Sequence, residues 1–545
     1  MRGRLRMSTE ATERAQLEVS FEDDPRVVKE AATEDYSTHV VPRSWRSGRL
    51  SLSMAWAALF SAMFWLVVAA SVAAAVGTGP ALIGIGLAVV THGGLNYVLS
   101  RYAARTGLTV ALMSRRMFGY FGAVLAPLIF AATAIYYAVF EGSVVAVALH
   151  HYFGGMDIAF WYLVVVAYSV PLVFGGVRAW LDKLNGVLLP FYVIGLTAAV
   201  IWAGARYGFS GDWLHVQATA PAVPGVPGWL FAYTTYMGVW IMMMYTIDFA
   251  RFSKERDAKF HGKVTFGPVF YLATFLVNGL IGIFLASTVP TEGAFSEVSV
   301  VYAVVGLMGL AGVGLIWVSQ TRINTANFYL ASTNLEAFCS RLFKVRFHRT
   351  VWTVAVGVLV YLLMLTDVLS YLLTALQWQG VFVVAWVGIA LTHIVLGKDD
   401  RDGLPEFRPG RLRLVTPGVL VWVAAAGTGI AMTEFGGPAG AAWSAPATLA
   451  LAVGGYAAAL KFGPLPLLHR ANDPRDEVED IWEARIRCHA CDKHYVAVEM
   501  DRDPSAGHAA ICSGCAAESP GFYHAARAES AERRGAPTNP ALKGA

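Results

Sequence analysis

Residues 124–151 read VLAPLIFAATAIYYAVFEGSVVAVALHH, and residues 304–332 read VVGLMGLAGVGLIWVSQTRINTANFYLAS. Each stretch exceeds the length of about 20 mostly apolar residues that crosses a bilayer. Each also carries a charge, Glu141 in the first and Arg322 in the second. A charge at the bilayer centre costs about 2.5–3.5 kcal/mol on insertion scales and usually faces a substrate or ion pathway. The two stretches therefore predict membrane helices around a polar pathway, with a structural ion pair between packed helices as the alternative.

The composition agrees with a polytopic membrane protein. Of the 545 residues, 56% are hydrophobic and 15% are charged, and the mean hydropathy is +0.51. Residues 1–50 are polar and show no pattern of a cleavable signal peptide. We expect an all-α membrane protein of about twelve helices, with spans at residues 52–76, 80–100, 121–149, 158–177, 184–205, 228–250, 266–289, 299–333, 351–370, 375–396, 414–433 and 444–463.

Loops rich in Lys and Arg alternate with loops that nearly lack them. Basic clusters follow spans two, six and eight, for example, at residues 101–106, 251–263 and 341–349. Cytoplasmic loops carry the excess of basic residues in membrane proteins. With an even number of spans, both termini are expected in the cytoplasm and the chain in the cell (plasma) membrane. The formal net charge of +4 reflects this loop bias and indicates no nucleic-acid partner.

The chain divides into four expected segments. Residues 1–49 are poor in large apolar side chains and are expected to form a disordered cytoplasmic N-terminus. Residues 50–465 are the membrane domain, and residues 466–525 are a cytoplasmic domain of different composition. Residues 526–545 are small and polar and are expected to be a disordered tail.

The segment 466–525 contains two Cys-x₂-Cys pairs, Cys488 with Cys491 and Cys512 with Cys515. This spacing is typical of four-cysteine zinc ribbons, in which two knuckles supply the tetrahedral ligands of Zn²⁺. Four free thiols are the alternative, because structural disulfides are rare in the cytoplasm. We expect a structural zinc ion in this tail and no organic cofactor. The tail would regulate or tether the membrane domain, through a cytoplasmic partner that the sequence does not identify.

Three spans are interrupted or unusually polar. Span one contains many small residues, span six contains GVWIMMMYTIDFARF at 238–252, and span eight contains SQTRINTAN at 319–327. Transporters place substrate at the bilayer midplane on broken helices related by an inverted repeat. In a five-span repeat, spans one and six would correspond, and so would spans three and eight, which carry Glu141 and Arg322.

Three motifs resemble the nucleobase–cation symporter family, which includes hydantoin, allantoin, uracil, cytosine and purine permeases. They are RTGLTVALMSRRMFGYFGAVLAP at 105–127, TIDFARFSK at 246–254 and TRINTANFYLAS at 321–332. The resemblance covers spans one to ten. It implies a leucine-transporter-like fold, with two inverted five-span repeats followed by two more helices.

The family binds a planar substrate between aromatic side chains of spans three and six, and amide side chains of spans three and eight hydrogen-bond its edge. Stacking stabilises a heterocycle, and each unmade hydrogen bond in a dry site costs about 1–3 kcal/mol. Packing of Trp240 and helix–helix hydrogen bonding by Asn327 are the alternatives. Carried onto this chain, the resemblance implies a substrate site formed by Tyr137, Glu141, Trp240, Gln320, Asn324 and Asn327.

Two positions depart from the family pattern. Glu141 stands where an amide is typical, and Arg322 stands where sodium-coupled relatives have a hydroxyl ligand, beside Val318 and Thr321. A guanidinium repels Na⁺, so Arg322 is expected to replace the ion. A buried carboxyl can have its pKa raised toward neutrality, so Glu141 is a candidate proton carrier, and both charges are expected to serve coupling.

The predicted function is a secondary active transporter that imports a nucleobase or related heterocycle by alternating access, without sodium or with protons. An amino-acid or amine carrier of the same fold is the first alternative, and a transporter-like membrane sensor is the second. The sequence shows no phosphate-binding loop, metallo-hydrolase spacing or nucleophile elbow, so no enzyme is expected.

Asp248 and Arg251, at the end of span six, are expected to form a surface pair.

Overall fold

The structure is a computed structural model that describes residues 15–218, 222–291, 297–345, 347–366, 368–397, 404–463 and 467–535. The chain forms two compact units. The helical unit takes in residues 29–406 and 413–466, and the cysteine unit takes in residues 1–28, 407–412 and 467–545. Each unit is assembled from separate stretches of chain, whereas the sequence predicted consecutive segments.

Helices make up most of the described chain, as the predicted fold class requires. Up to the end of the helical unit they are α1 (Pro25–Glu34), α2 (Arg49–Trp56), α3 (Phe64–Val76), α4 (Thr78–Thr106), α5 (Val110–Phe118), α6 (Leu125–Phe153), α7 (Ile158–Leu172), α8 (Asp182–Tyr207), α9 (Gly228–Met237), α10 (Ile241–Ala250), α11 (Ala258–Phe260), α12 (Pro268–Tyr271), α13 (Asn278–Thr288), α14 (Glu297–Met308), α15 (Leu310–Leu342), α16 (Arg349–Met364), α17 (Val368–Leu396), α18 (Pro417–Phe435) and α19 (Gly437–Phe462). Each of the twelve expected spans falls on these helices.

Among the described residues, seven helices are long and apolar enough to cross a membrane, and the number rises to nine if each of two bent pairs counts as one span. The bent pairs are α2 with α3 and α9 with α10, whose axes turn by 42° and 41°. A short 3₁₀ turn, Leu59–Ser61, separates α2 from α3, and Ala62 then takes an extended conformation. The breaks fall in spans one and six, the two that a five-span repeat relates.

The span expected at 299–333 is two helices. Gly309 lies between α14 and α15 with φ 58° and ψ −132°, a conformation that L-residues rarely adopt. The apolar run continues through Gly309, so hydropathy alone did not reveal the break. As a result α15, which carries the polar stretch of span eight, begins at Leu310.

Helices α6 and α15 make the most extensive helix–helix contact in the described chain. Gly142 of α6 lies beside this contact. A Cβ atom added there would lie 3.4 Å from the amide nitrogen of Asn324 on α15, an ordinary contact distance, and 2.4 Å from the Met364 side chain on α16. The pairing brings the polar residues of spans three and eight together in the middle of the helical unit.

The expected disorder of residues 1–49 is wrong for the described part, which begins at residue 15. In the helical unit, the backbone N–H of Val41 donates to Gly107 O and that of Ser47 donates to Phe252 O. Val40 and Val41 are fully buried. The composition argument fails because these few apolar side chains pack against other helices, and the segment needs no core of its own.

The cysteine unit contains short strands and two helices. A three-stranded antiparallel sheet has the order β1 (Val19–Ser20), β2 (Arg485–Arg487), β3 (His494–Val496), and β4 (Met500–Asp503) pairs with β5 (Ala509–Cys512). The helices are α20 (Ser513–Glu518) and α21 (Pro520–Gly535). The tail expected to be disordered from residue 526 is therefore helical to Gly535, and residues 536–545 lie outside the described part.

Buried ion pairs join the separate stretches of the cysteine unit. Arg408 lies 2.7 Å from Asp473, and Arg470 lies 2.8 Å from Asp501. Arg411 also contacts Asp501, at 3.1 Å. Burial alone would raise the pKa of the Asp473 carboxyl, but Arg408 and its neighbouring arginines hold that pKa well below its usual range. Two arginines of the basic loop after span ten are thus structural residues of this unit.

Candidate functional site

A cavity lies where the two broken helices meet α6 and α15. Its wall is mostly apolar and aromatic, with a carboxyl, an amide and two tyrosines among its polar groups. The lining residues are Leu59, Ala62, Phe64, Trp65, Tyr137, Glu141, Val239, Ile241, Met242, Tyr245, Ile323 and Asn327. An apolar pocket with a few convergent polar groups is the usual form of a small-molecule site.

Tyr137 and Glu141 lie on one face of α6 and both line the cavity. They are four residues apart, which places them one turn apart on a helix. The Tyr137 hydroxyl faces the Gln379 side chain of α17, but neither group has a hydrogen bond of ordinary geometry. The polar groups along this wall of the cavity therefore do not satisfy each other's hydrogen-bonding capacity.

A hydrogen-bonded chain connects Glu141 to the break in the first span. The Gln320 amide nitrogen donates to a Glu141 carboxylate oxygen. The Gln320 side-chain oxygen accepts from the backbone N–H of Met63 at 3.1 Å, while the Ser319 hydroxyl donates to Ser61 O at 2.5 Å. The Met63 N–H fixes the orientation of the amide, so its NH₂ group is directed at Glu141. Gln320 stands behind the wall and holds the carboxylate in place.

The two asparagines of α15 form a second chain. The Tyr245 hydroxyl donates to Asn327 Oδ1 at 3.0 Å. Asn327 Nδ2 donates to Asn324 Oδ1 at 3.4 Å, and Asn324 Nδ2 donates to Ala138 O at 3.4 Å. Asn327 thus lines the cavity, whereas Asn324 links α15 to α6 behind it. The bond that Asn327 donates is long, so a ligand that accepts from Asn327 Nδ2 could replace Asn324 as its partner.

Trp240, which was expected to stack on the substrate, is turned toward a different neighbour. It is fully buried, and its ring centroid lies 6.3 Å from that of His92 on α4. It is not among the cavity-lining residues, although Val239 and Ile241 on either side are. Trp65 and Tyr245 line the cavity and were not predicted. Their position next to the breaks of spans one and six is the signal that would have identified them.

Arg322 points away from the cavity, to the break in the first span. Its Nη2 donates to Ala57 O at 2.7 Å, and its Nε and Nη1 have no hydrogen-bond partner in the described chain. Ala57 closes α2, so its carbonyl lies at a helix C-terminus, where a cation is favoured. The neighbouring Thr321 hydroxyl contacts Tyr168 at 3.0 Å instead. Arg322 and Glu141 therefore do not form the structural ion pair weighed as an alternative.

The expectation that Asp248 and Arg251 form a surface pair is wrong, because both are buried. Asp248 Oδ1 accepts from the backbone N–H of Val110 at 2.7 Å, and its Oδ2 accepts from the Asn334 amide at 3.2 Å. Arg251 Nη1 donates to Tyr36 O at 3.0 Å. These contacts tie the end of the sixth span to α5, α15 and the N-terminal segment.

Residues 35–47, which we call the N-terminal latch, hold this end of the helical unit together. The Asp35 carboxylate accepts from the backbone N–H of Val177 at 2.6 Å and interacts with Arg349 and Arg251. Burial raises the pKa of the Asp35 carboxyl, while the charge of Arg349 opposes that shift. Asp35 and Tyr36 both have positive φ, 49° and 54°, a strained conformation that these contacts stabilise.

The four cysteines of the tail meet at one point of the cysteine unit. The sulfur atoms of Cys488, Cys491, Cys512 and Cys515 all lie within 4.8 Å of one another. Backbone N–H groups point at two of them: that of Cys512 lies 3.3 Å from Cys488 Sγ, and that of Cys515 lies 3.4 Å from Cys512 Sγ. None of the four is in a disulfide within the part of the chain that the structure describes. The cluster has the donor set and the compactness to bind a metal ion.

No protein-family model matches the chain, and no curated protein matches its sequence. Solved structures do match. Mhp1, a nucleobase-cation-symport-1 family transporter in a closed conformation with bromovinylhydantoin bound, has a TM-score of 0.62 and 16% identity over 78% of this chain and 95% of its own. A Na⁺-coupled sialic acid symporter in a substrate-bound, outward-open state has a TM-score of 0.52 and 12% identity over 81% and 93%.

MhsT in complex with L-phenylalanine has a TM-score of 0.51 and 14% identity over 76% of this chain and 99% of its own. At these identities the comparisons establish the fold alone. They confirm the predicted fold class and, at the level of the fold, the resemblance to the nucleobase–cation symporters. The chain is a multi-pass helical membrane protein with the leucine-transporter-like fold that these transporters share.

Proposed function

We propose that this protein is a secondary active transporter of the nucleobase–cation symporter type, which imports a nucleobase or related heterocycle by alternating access. The observation that carries the proposal is the cavity at the two helix breaks. It combines the aromatic rings of Trp65, Tyr137 and Tyr245 with the hydrogen-bonding groups of Glu141 and Asn327. A planar heterocycle needs both, because its faces gain from stacking and its edge must be hydrogen-bonded.

Transport is proposed to be independent of sodium. The guanidinium of Arg322 already donates to the Ala57 carbonyl at the break of the first span. A fixed positive charge a few ångströms from a Na⁺ ion would oppose its binding. Arg322 therefore supplies the positive charge that a coupling ion would bring. Protons are the candidate coupling ion, with Glu141 as their carrier, because this carboxyl is buried and lies on the cavity wall.

An amino-acid or amine carrier is the second candidate function. It is favoured by the carboxyl of Glu141, which would pair with a substrate ammonium, and by the fold likeness to MhsT, a structure containing L-phenylalanine. A membrane sensor that signals through the cysteine unit is a third. Sustained flux after removal of the cysteines' metal would separate a transporter from a sensor.

The metal of the cysteine unit is proposed to be Zn²⁺ in a structural role. Tetrahedral zinc with four thiolates has Zn–S distances of about 2.3 Å, which places the sulfurs about 3.8 Å apart. The observed cluster, with all sulfurs within 4.8 Å, needs only a small contraction. His489 and His494 have other partners, at 3.0 Å from Asp503 and 3.6 Å from Asp24. Binding of the ion would stabilise the fold of the cysteine unit, whose strands are very short.

The proposed location is the cell (plasma) membrane with both termini in the cytoplasm. The basic loops support this orientation. The N-terminal latch and the cysteine unit would then both be cytoplasmic, where the cysteine unit meets a protein partner or tethers the carrier.

The test is uptake by the purified full chain in proteoliposomes, with a panel of labelled heterocycles and amino acids and with imposed Na⁺ or pH gradients. We expect uptake of at least one heterocycle that persists when Na⁺ is replaced by choline. Tyr137→Ala should abolish it, whereas Thr133→Ser should not. Thr133 lies on the same helix, but its hydroxyl donates to Ile129 O and it does not line the cavity. Uptake of amino acids alone would select the second candidate.

A further inference from the structure

The acidic group on the cavity wall limits which substrate edge can bind there. An ionised carboxylate only accepts hydrogen bonds, at both oxygens, whereas an amide side chain offers an acceptor and a donor. Glu141 lines the cavity and is held by the NH₂ group of Gln320. Because the backbone N–H of Met63 fixes the Gln320 oxygen, this amide does not turn over to offer its acceptor. The wall therefore presents acceptors at Glu141.

A second set of polar groups lies one helical turn away. The Tyr137 hydroxyl and both polar atoms of the Gln379 side chain are buried and have no hydrogen-bond partner in the described chain. Unsatisfied buried groups of this kind are costly, and a ligand that pairs with them gains affinity. Gln379 lies on α17, outside the four helices that line the cavity, and its side chain faces the Tyr137 hydroxyl.

We propose that the cavity selects heterocycles with two adjacent N–H donors, a ring N–H beside an exocyclic amino group, and that Gln379 is a further substrate-binding residue. Such an edge forms two parallel hydrogen bonds to the Glu141 carboxylate. Tyr137 and Gln379 then pair with polar atoms elsewhere on the ring. The inference rests on the proposed function, since it specifies the substrate of the same site.

The protonation state of Glu141 sets which edge type the wall prefers. Protonation of Glu141 would turn one oxygen into a donor, which removes one of the two hydrogen bonds and favours an edge with one donor and one acceptor. The substitution Glu141→Gln makes the same change without a proton. The glutamine side chain has nearly the same shape as that of glutamic acid, and its amide always offers a donor. The variant should therefore invert the preference between the two edge types.

The experiment measures binding of guanine, hypoxanthine and uracil to the purified full chain at alkaline pH. Guanine and hypoxanthine differ by the amino group next to the ring N–H, so they form a matched pair. We expect guanine to bind about 10- to 100-fold more tightly, the scale of one well-formed bidentate contact. In Glu141→Gln this ratio should fall to about one or invert, and in Thr133→Ser it should be unchanged.

Gln379→Leu tests the second residue. It should weaken binding of guanine and hypoxanthine by about the same factor, leaving their ratio intact, because it does not touch Glu141. Thermal unfolding of each purified variant checks that it is folded, and Glu141→Gln provides the test if Gln379→Leu fails to fold. Equal affinities of guanine and hypoxanthine in the wild type would overturn the inference while the proposed function stands. Binding of no heterocycle at all would overturn both.

Discussion

Replacing Arg322 by threonine should make transport depend on sodium. The substitution removes the hydrogen bond of 2.7 Å from the guanidinium to Ala57 O and introduces a hydroxyl at the same position of α15. A hydrogen bond from a charged group contributes about 1.5–3 kcal/mol. If the bond stabilises the substrate-bound arrangement of the first-span break, its loss corresponds to about 10- to 150-fold in uptake. The carbonyl and the new hydroxyl are oxygen ligands that Na⁺ can share.

The assay is uptake in proteoliposomes with Na⁺ replaced by choline at constant pH. The wild type should transport equally in both media. Arg322→Thr should be slow in choline and partly restored by millimolar Na⁺, whereas Arg322→Lys should keep sodium independence, since it retains the charge. Arg206→Thr is the matched control, because Arg206 is exposed at the end of α8. Wild-type uptake that collapses in choline, or Arg322→Thr uptake that is normal in choline, would refute the reasoning.

Four other outcomes are expected. Uptake should depend on an imposed pH gradient in the wild type but not in Glu141→Gln, and an unchanged gradient dependence would remove Glu141 as the proton carrier. Cys512→Ser should lower bound zinc below one ion per chain and lower the unfolding temperature, as metal analysis and calorimetry can check; a wild type without zinc would reject the assignment. Asp473→Asn should destabilise the cysteine unit at pH 7. Because the folded pKa of Asp473 lies far below its unfolded value near 4, the difference between wild type and variant should begin to shrink as the pH falls below about 4 and continue to shrink toward the folded pKa, and a constant difference would contradict the ion-pair account. Asp35→Asn should loosen the N-terminal latch, so a cysteine introduced at the latch should react faster with a thiol reagent in membranes. Equal labelling of that cysteine with and without Asp35→Asn would argue against the latch.

Hydropathy was sufficient to locate the membrane helices because a bilayer imposes one length and one polarity on every span. It could not locate Gly309 as the end of a helix, since the break depends on a backbone conformation and leaves the apolar run intact. It also could not anticipate that Arg408 and Arg411 lie in the cysteine unit. A basic loop has the same composition whether its arginines face solvent or pair with Asp473 and Asp501.

The helical spacing of the candidate site residues was predictable from the sequence, but the direction in which each side chain points was not. The i, i+4 spacing on α6 correctly put Tyr137 and Glu141 on one face, because helix geometry fixes that relation. At the break between α9 and α10 the helical period no longer holds, so the side chain expected to face the cavity, Trp240, contacts His92 instead. Tyr245, one turn further on, lines the cavity. Sequence patterns fail at broken helices for the same reason that such breaks can form binding sites: the backbone leaves its regular path.

The separation of the two buried charges is itself an argument about mechanism. Opposite charges close together in a medium of low dielectric attract each other strongly, and a paired Arg322 and Glu141 would neutralise each other inside the bilayer. The chain instead directs Arg322 to a helix-end carbonyl at the first-span break and Glu141 to the cavity wall. Under the proposed function, each charge would act on a different part of the cycle. Arg322 would support the broken helix through its backbone partner, with a charge that stays constant. Glu141 borders the space that a ligand enters, so its charge would change when a proton or a substrate donor arrives.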